Sequence, residues 1–331
     1  LPRAAVVGAG PAGLALAWFL KGTKYDVKVY EALDQPGRKP CAWGVMEGVE
    51  KMLPISKERI VSEIRGFKIY LNNKLIHDIR TNRTLGYIID KPSMLRDVAE
   101  KVDVSYSSKV VVRDGKYFVN DKPIDADEVI FASGHYSLPK DFTIPAIQYL
   151  TNAKVDMEVV EFYFYSDLLG YAWVFPEQGG AKIGIGGYAP VEALKEKLAP
   201  MVNDKPLRLL HGARVSDGGV IDDRLNDSIG EAAGCVYAMT GEGIRPSILS
   251  AKIRADSMLE GKDFPSQFKK SNLYWTLQVH ADIVKRVKRG DASLSGFSRV
   301  LTKADPELVL KVALGNFGRL DLIKLFGRMI F

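Results

Sequence analysis

Thiols and imidazoles are scarce in this chain. Its 331 residues hold two cysteines and four histidines, too few for a disulfide framework or a Cys/His metal cluster. No metal is expected, and the cysteine usage reads as cytoplasmic. Long apolar runs are missing too. Residues 4–20 come nearest, but they are too short to span a bilayer. They are also broken by Gly8, Gly10, Pro11 and Gly13, a spacing foreign to a signal peptide. There is no internal repeat and no low-complexity linker. Acids are slightly outnumbered: 46 Lys and Arg against 40 Asp and Glu leave a net charge of +6. That excess is spread evenly, with no basic stripe interleaved with aromatics, so nucleic acid is not an expected partner. An acidic protein, anionic lipid or anionic substrate fits the balance.

What is present begins at once. An apolar strand, Ala4–Val7, runs into Gly8-Ala-Gly10-Pro11-Ala12-Gly13 and a helical stretch to Leu20. A second strand, Val27-Lys-Val-Tyr-Glu31, then closes on an acid. A dinucleotide-binding βαβ unit needs this order. Gly8 makes the tight turn, Gly10 admits a pyrophosphate to the backbone, and Gly13 lets helix and strand pack closely. The positive end of the helix faces phosphate, and Glu31 accepts from a ribose diol.

With 47% hydrophobic residues the chain buries a sizeable core, as two domains or one domain with insertions. Alternating strands joined by Asn72-Asn73 read as a hairpin, and Asp114-Gly115 marks another. Asp90 or Ser93 caps a helix running to Ala99. A buried strand runs into Ala132-Ser133-Gly134. Residues 158–188 are again β in pattern, and a helical stretch leads from Ile244 to Leu259. Nucleotide-type segments (1–45, 86–150, 218–262) thus alternate with β-rich ones (46–85, 151–217), and 263–331 reads as a short helical C-terminal region. The expected architecture is α/β, a Rossmann-like domain with an antiparallel substrate sheet inserted twice. Gly184 to Ala189 repeats a Gly-x-Gly-x-x-Ala spacing. It lacks a second strand ending in an acid, so it reads as strand glycines and not as an NADPH site.

Four further motifs join the opening fingerprint: Lys39-Pro40-Cys41; Tyr171-Ala-Trp173-Val-Phe175-Pro176 followed by Gly184-Ile-Gly186; Gly230-Glu231-Ala-Ala-Gly234; and Thr240-Gly241-Glu-Gly243-Ile244. Together they resemble the geranylgeranyl reductase family, flavoproteins of the p-hydroxybenzoate-hydroxylase-like group that saturate isoprenoid chains. The resemblance spans roughly residues 3–260. It implies bound FAD, with Gly8, Gly10, Pro11, Ala12, Gly13, Glu31, Gly134, Gly230, Glu231, Gly241, Gly243 and Ile244 around it. Glu231 stands where the family has Asp, and Ser133 stands where wider relatives show an acid. Tyr171, Trp173 and Phe175 alternate on a strand and would wall an apolar chain, with Gly184 and Gly186 allowing its close approach. Cys41 and Tyr171 are the candidate catalytic groups, the resemblance placing the cysteine near the flavin ring.

The implied substrate is an isoprenoid lipid. The electron donor is reduced ferredoxin, an acidic carrier suited to a basic surface, or NADPH. A flavin-dependent monooxygenase or halogenase and an electron-transfer flavoprotein acting with quinone or ferredoxin are the alternatives. The chain looks short after residue 265 for enclosing a long substrate. Its last helix places Leu322, Ile323, Leu325, Phe326, Met329 and Ile330 on one face, for docking on its own domain or for peripheral contact with the inner membrane face.

Overall fold

The computed structural model describes residues 1–326, so Met329 and Ile330 lie outside the described residues. The opening unit folds as its residues require. Strand Arg3–Val7 lies in parallel between Asp26–Tyr30 and Glu128–Phe131, and Asp103–Ser105 extends the sheet beyond Asp26–Tyr30. Helix Pro11–Leu20 carries proline in its first turn, where a missing N–H leaves no bond unmade. Gly13 sets the spacing of helix and strand, because a Cβ there would stand 1.9 Å from the Gly8 carbonyl oxygen. Helix Ile244–Glu260 packs beside Pro11–Leu20. The late segment rejoins the sheet only as a single parallel bridge between Phe131 and Ser228.

A second, seven-stranded sheet runs in the order Leu207–Ser216, Thr143–Thr151, Gly180–Gly187, Leu168–Glu177, Val159–Tyr165, Gly66–Leu71, Lys74–Arg80. Its neighbours are antiparallel except Val159–Tyr165 with Gly66–Leu71. Strands from both sides of the nucleotide segment thus share one sheet. One boundary moves. Strand Thr143–Thr151 belongs to this sheet, so residues 143–150 do not go with the nucleotide segment 86–150.

The hairpin turns fold as expected, with Asn72 and Asn73 at φ 47° and 65° and Asp114-Gly115 at 50° and 71°, the positive pair that a tight two-residue turn requires. Asp90 caps helix Lys91–Ala99 through the Ser93 N–H.

Strand alternation gives the large sheet two unlike faces. Ala172, Val174, Ile183 and Ile185 point to one side, where Leu194 and Leu198 of helix Val191–Val202 cover them. The other side carries Tyr171, Trp173 and Phe175, paired with Gly186, Gly184 and Lys182, and turns toward the parallel sheet. Helices Phe264–Lys270, Asn272–Arg289, Leu294–Lys303, Pro306–Ala313 and Arg319–Phe326 complete the chain. The last docks on its own molecule through Leu322 and Leu325. Leu320 and Ile323 stay 71% and 63% exposed. No described helix is long and apolar enough to cross a membrane.

Candidate active site

A cavity of about 1040 Å³ runs from the glycine turn to the aromatic face of the large sheet. At its nucleotide end Gly8 is held at φ +110°, and a Cβ there would come 2.6 Å from the Ala132 carbonyl oxygen. The space above Gly10 is open, and the first helical N–H groups have no side-chain cap. Together they form a cradle for an anion at a helix start. Gly8, Gly10, Pro11, Ala12 and Glu31 line the cavity. Gly13 does not, in keeping with a packing role. The Glu31 carboxylate accepts from the N–H groups of Ala9 (2.7 Å) and Leu33 (2.9 Å), so the acid is fixed at the turn.

Further along, Gly134, Glu231, Gly241, Gly243 and Ile244 line the same space. Glu231 accepts from Lys39 Nζ at 2.6 and 2.7 Å and from the Ser216 N–H at 3.1 Å, joining the Lys39-Pro40-Cys41 loop to both domains. That ion pair is largely buried, and losing one partner of such a pair costs roughly 3–5 kcal/mol. Gly230 stays out of the cavity. Its φ of +63° and the 2.6 Å from a Cβ there to Ala12 Cβ make it a packing glycine between helices. The turn at Gly241–Ile244 opens helix Ile244–Glu260, whose start also lacks a side-chain cap. Glu242 beside it pairs with Arg245 (2.9 Å), and burial raises its carboxyl above the usual range.

Tyr171, Trp173 and Phe175 all face the cavity. Tyr171 and Trp173 meet edge-on at 5.9 Å, and Phe162 contacts both Tyr171 and Phe175 at 5.6 Å. Phe164 extends the wall, 5.5 Å from Tyr171. The Tyr171 hydroxyl donates to the Thr240 carbonyl, and burial together with the nearby Cys41 and Glu242 pushes its ionisation well above the usual phenol range. It therefore holds its proton and tethers the sheet to the Thr240 turn, which argues against it as an acid. Gly184 departs from expectation. A Cβ there would stand 2.3 Å from the Trp173 indole, so the glycine makes room for that ring and does not itself face the cavity. Gly186 does face it.

Cys41 lines the cavity from the loop side. Its Sγ accepts from the Trp43 N–H (3.3 Å), and its carbonyl accepts from Gln148 (3.2 Å). Lys91, buried at the start of helix Lys91–Ala99, donates to the Lys39 carbonyl at 2.7 Å. Trp43 adopts φ 72°, a left-handed conformation rare for a bulky residue and common at functional sites. The far end of the cavity is closed by Phe297, Leu301, Val309, Leu310 and Leu325. This corrects the expectation that the chain is too short to enclose a long molecule, because its C-terminal helices form the floor.

Residues 2–165 match the family model described as pyridine nucleotide-disulphide oxidoreductase. The chain is an FAD-binding oxidoreductase. It is 25% identical to digeranylgeranylglycerophospholipid reductase 3 of Methanosphaera stadtmanae, over 84% of this chain and 81% of that one. A geranylgeranyl bacteriochlorophyll reductase-like protein of Thermoplasma acidophilum has the same fold, with a TM-score of 0.77, 21% identity and 99% of each chain covered. A flavin-dependent brominase shares that fold at 12% identity and a TM-score of 0.70, over 99% of this chain and 98% of that one. The resemblance to geranylgeranyl reductases read from the motifs therefore stands beside a fold that also serves halogenation.

The residues fit the cofactor of this oxidoreductase. Two capless helix starts face one crevice, with an acid at each end. The buried Trp173 Nε1 and Thr240 Oγ1, both lining the cavity, lack protein partners. Sequence reasoning missed Phe162 and Phe164, although the alternation through Glu161-Phe-Tyr-Phe-Tyr165 is the same signal that marked the neighbouring strand. It also missed Lys91 and Lys182, because charged residues inside helices and strands read as solvated, and Glu242, whose partner Arg245 gives no signal in a glycine turn.

Proposed function

We propose that this oxidoreductase reduces carbon–carbon double bonds of isoprenoid chains, a reading supported by a Methanosphaera stadtmanae relative named a digeranylgeranylglycerophospholipid reductase. The observation that carries the reading is the continuity of the cavity. It passes from the dinucleotide cradle to five aromatic rings and on to an aliphatic floor. At about 1040 Å³ it stands at the upper end of the roughly 300–1,000 Å³ usual for small-molecule sites, as a cofactor plus a long chain requires.

Reduced FAD, when bound, supplies the hydride for such a saturation. The chain's own residues do the rest. Gly10, Ala12 and the start of helix Ile244–Glu260 hold anionic groups through free N–H donors, the Gly8 and Ala9 N–H groups being taken by Tyr30 and Glu31. An isolated alkene accepts hydride poorly, so a proton must develop positive charge on carbon. The ring faces of Tyr171, Trp173, Phe162 and Phe164 stabilise that charge. The aliphatic floor excludes water. Cys41 is the residue we assign to proton delivery or to steering the alkene, since Tyr171 is committed to Thr240. NADPH or reduced ferredoxin supplies the electrons, and assays with each separate the two.

Replacing Trp173 with Ala tests the wall. FAD content should stay at the wild-type level while turnover of a geranylgeranyl lipid falls at least tenfold. Unchanged turnover would remove Trp173 from substrate binding. Oxygen uptake coupled to a hydroxylated or halogenated product would replace this reading with the monooxygenase or halogenase one.

A further inference from the structure

Behind the Lys39-Pro40-Cys41 loop lies a second cavity of about 260 Å³. Cys41, Trp43, Gln148 and His211 border both cavities. The lining of the smaller one has an unusual balance: it includes Arg38, Lys39, Lys182 and His211 but no carboxylate. Arg38 and Lys39 are already answered, by Asp34 (3.0 Å) and Glu231 (2.6 Å). Lys182 is not. It is 1% exposed, its Nζ makes no hydrogen bond, and it rests on the Trp43 ring 2.9 Å from the centroid. Gln148, whose amide N–H holds the Cys41 carbonyl, leaves its Oε1 unpaired in the same wall.

Taking an ammonium out of water without an acceptor is costly. A ring face returns only part of that cost. Burial accordingly pulls the Lys182 ammonium down to about 7. Nearby charges do not remedy this. Cys41, Glu177 and Asp90 favour the charged form and Lys91 opposes it, while Glu177 is itself taken by Arg208 at 2.8 Å. A small anion in the cavity would give the three ammonium protons the acceptors the protein withholds.

We propose that this cavity is an oxyanion site built on Lys182, suited to a phosphate-type group. Its donors are the Lys182 ammonium and the His211 imidazole, and the free Gln148 carbonyl accepts from a protonated oxygen or a water. The two cavities share Cys41, Trp43, Gln148 and His211 in their lining, a position suited to the head group of a phosphate ester whose apolar chain lies on the aromatic wall. That tethered form rests on the reading of the main cavity given above, whereas a free phosphate does not.

The test is calorimetric titration of the FAD-loaded protein with inorganic phosphate, geranylgeranyl monophosphate and geranylgeraniol. It is run on wild type, Lys182→Met and Lys182→Arg. Met matches the stem and removes the buried charge, so it should fold with an unchanged or higher Tm and retain FAD. We expect phosphate affinity to fall at least tenfold in Lys182→Met and to return in Lys182→Arg. If the site takes a head group, geranylgeranyl monophosphate binds at least tenfold tighter than the alcohol in wild type, and the gap closes in Lys182→Met. If it takes free phosphate, inorganic phosphate binds as well as the ester. Equal phosphate affinity in wild type and Lys182→Met, or no binding of either phosphate compound, overturns the site. Retained geranylgeraniol binding in that case leaves the reductase reading standing.

Discussion

At the scale of single residues, the site is governed by which groups are free and which are engaged. Tyr171 is engaged through Thr240, and Glu31 and Glu231 are fixed by backbone N–H groups. Cys41 lines the cavity, its sulfur accepting only from the Trp43 N–H among the described residues. Cys41→Ser should therefore fold and retain FAD but change the rate or the extent of saturation, read from the product distribution. An unchanged distribution makes Cys41 a packing residue. Cys235 offers the contrast, fully enclosed and with its thiol pushed by burial up to about 12.

A different residue sets a pH dependence of stability. Asp217 is 2% exposed, and neither carboxylate oxygen has a hydrogen-bond partner. Burial raises it to about 6, against the opposing pull of Lys288 and Lys285. Below about pH 4 the group is neutral in both folded and unfolded chains, and its favourable contribution is complete. That contribution is lost as pH rises through about 6, where the folded state must hold an unpaired carboxylate. Asp217→Asn should thus raise Tm at pH 8, by the equivalent of about 2–3 kcal/mol, and change little at pH 4. Thermal melts across that range check the sign.

At the scale of elements, legibility followed how local the signal was. The glycine turn, the Asn72-Asn73 hairpin and the Asp90 cap are decided by neighbours a few residues away, and each folds as read. Strand Thr143–Thr151 belongs to the large sheet and not to the nucleotide segment, which its residues do not reveal, because alternation shows that a strand exists but not which sheet it joins. Gly184 misled because a glycine under an indole and a glycine under a ligand look alike in sequence. The floor of the cavity was illegible, since amphipathic helices do not say what they cover.

The last helix shows both outcomes on one element. Leu325 lines the cavity, while Leu320 and Ile323 face outward. We propose that these two residues meet anionic lipid. Leu320→Glu with Ile323→Glu should reduce flotation on phosphatidylglycerol vesicles several-fold without altering Tm. Equal flotation would leave the helix purely structural.

At the scale of the whole molecule, the chain passes repeatedly between a parallel sheet that binds a dinucleotide and an antiparallel sheet that presents aromatic rings to it. Three ties hold the halves in register across the cavity: Ser216 to Glu231, Tyr171 to Thr240, and Gln148 to the Cys41 carbonyl. The C-terminal helices then close the space between them. A cradle at one end and an aliphatic floor at the other make the central claim a statement about what the enclosed chain becomes. The most direct test is mass spectrometry of a geranylgeranyl lipid after anaerobic incubation with the FAD-loaded, reduced protein. The account predicts products heavier by two hydrogens for each saturated double bond, formed as the flavin absorbance returns. Flavin reoxidation that leaves the lipid mass unchanged would contradict it.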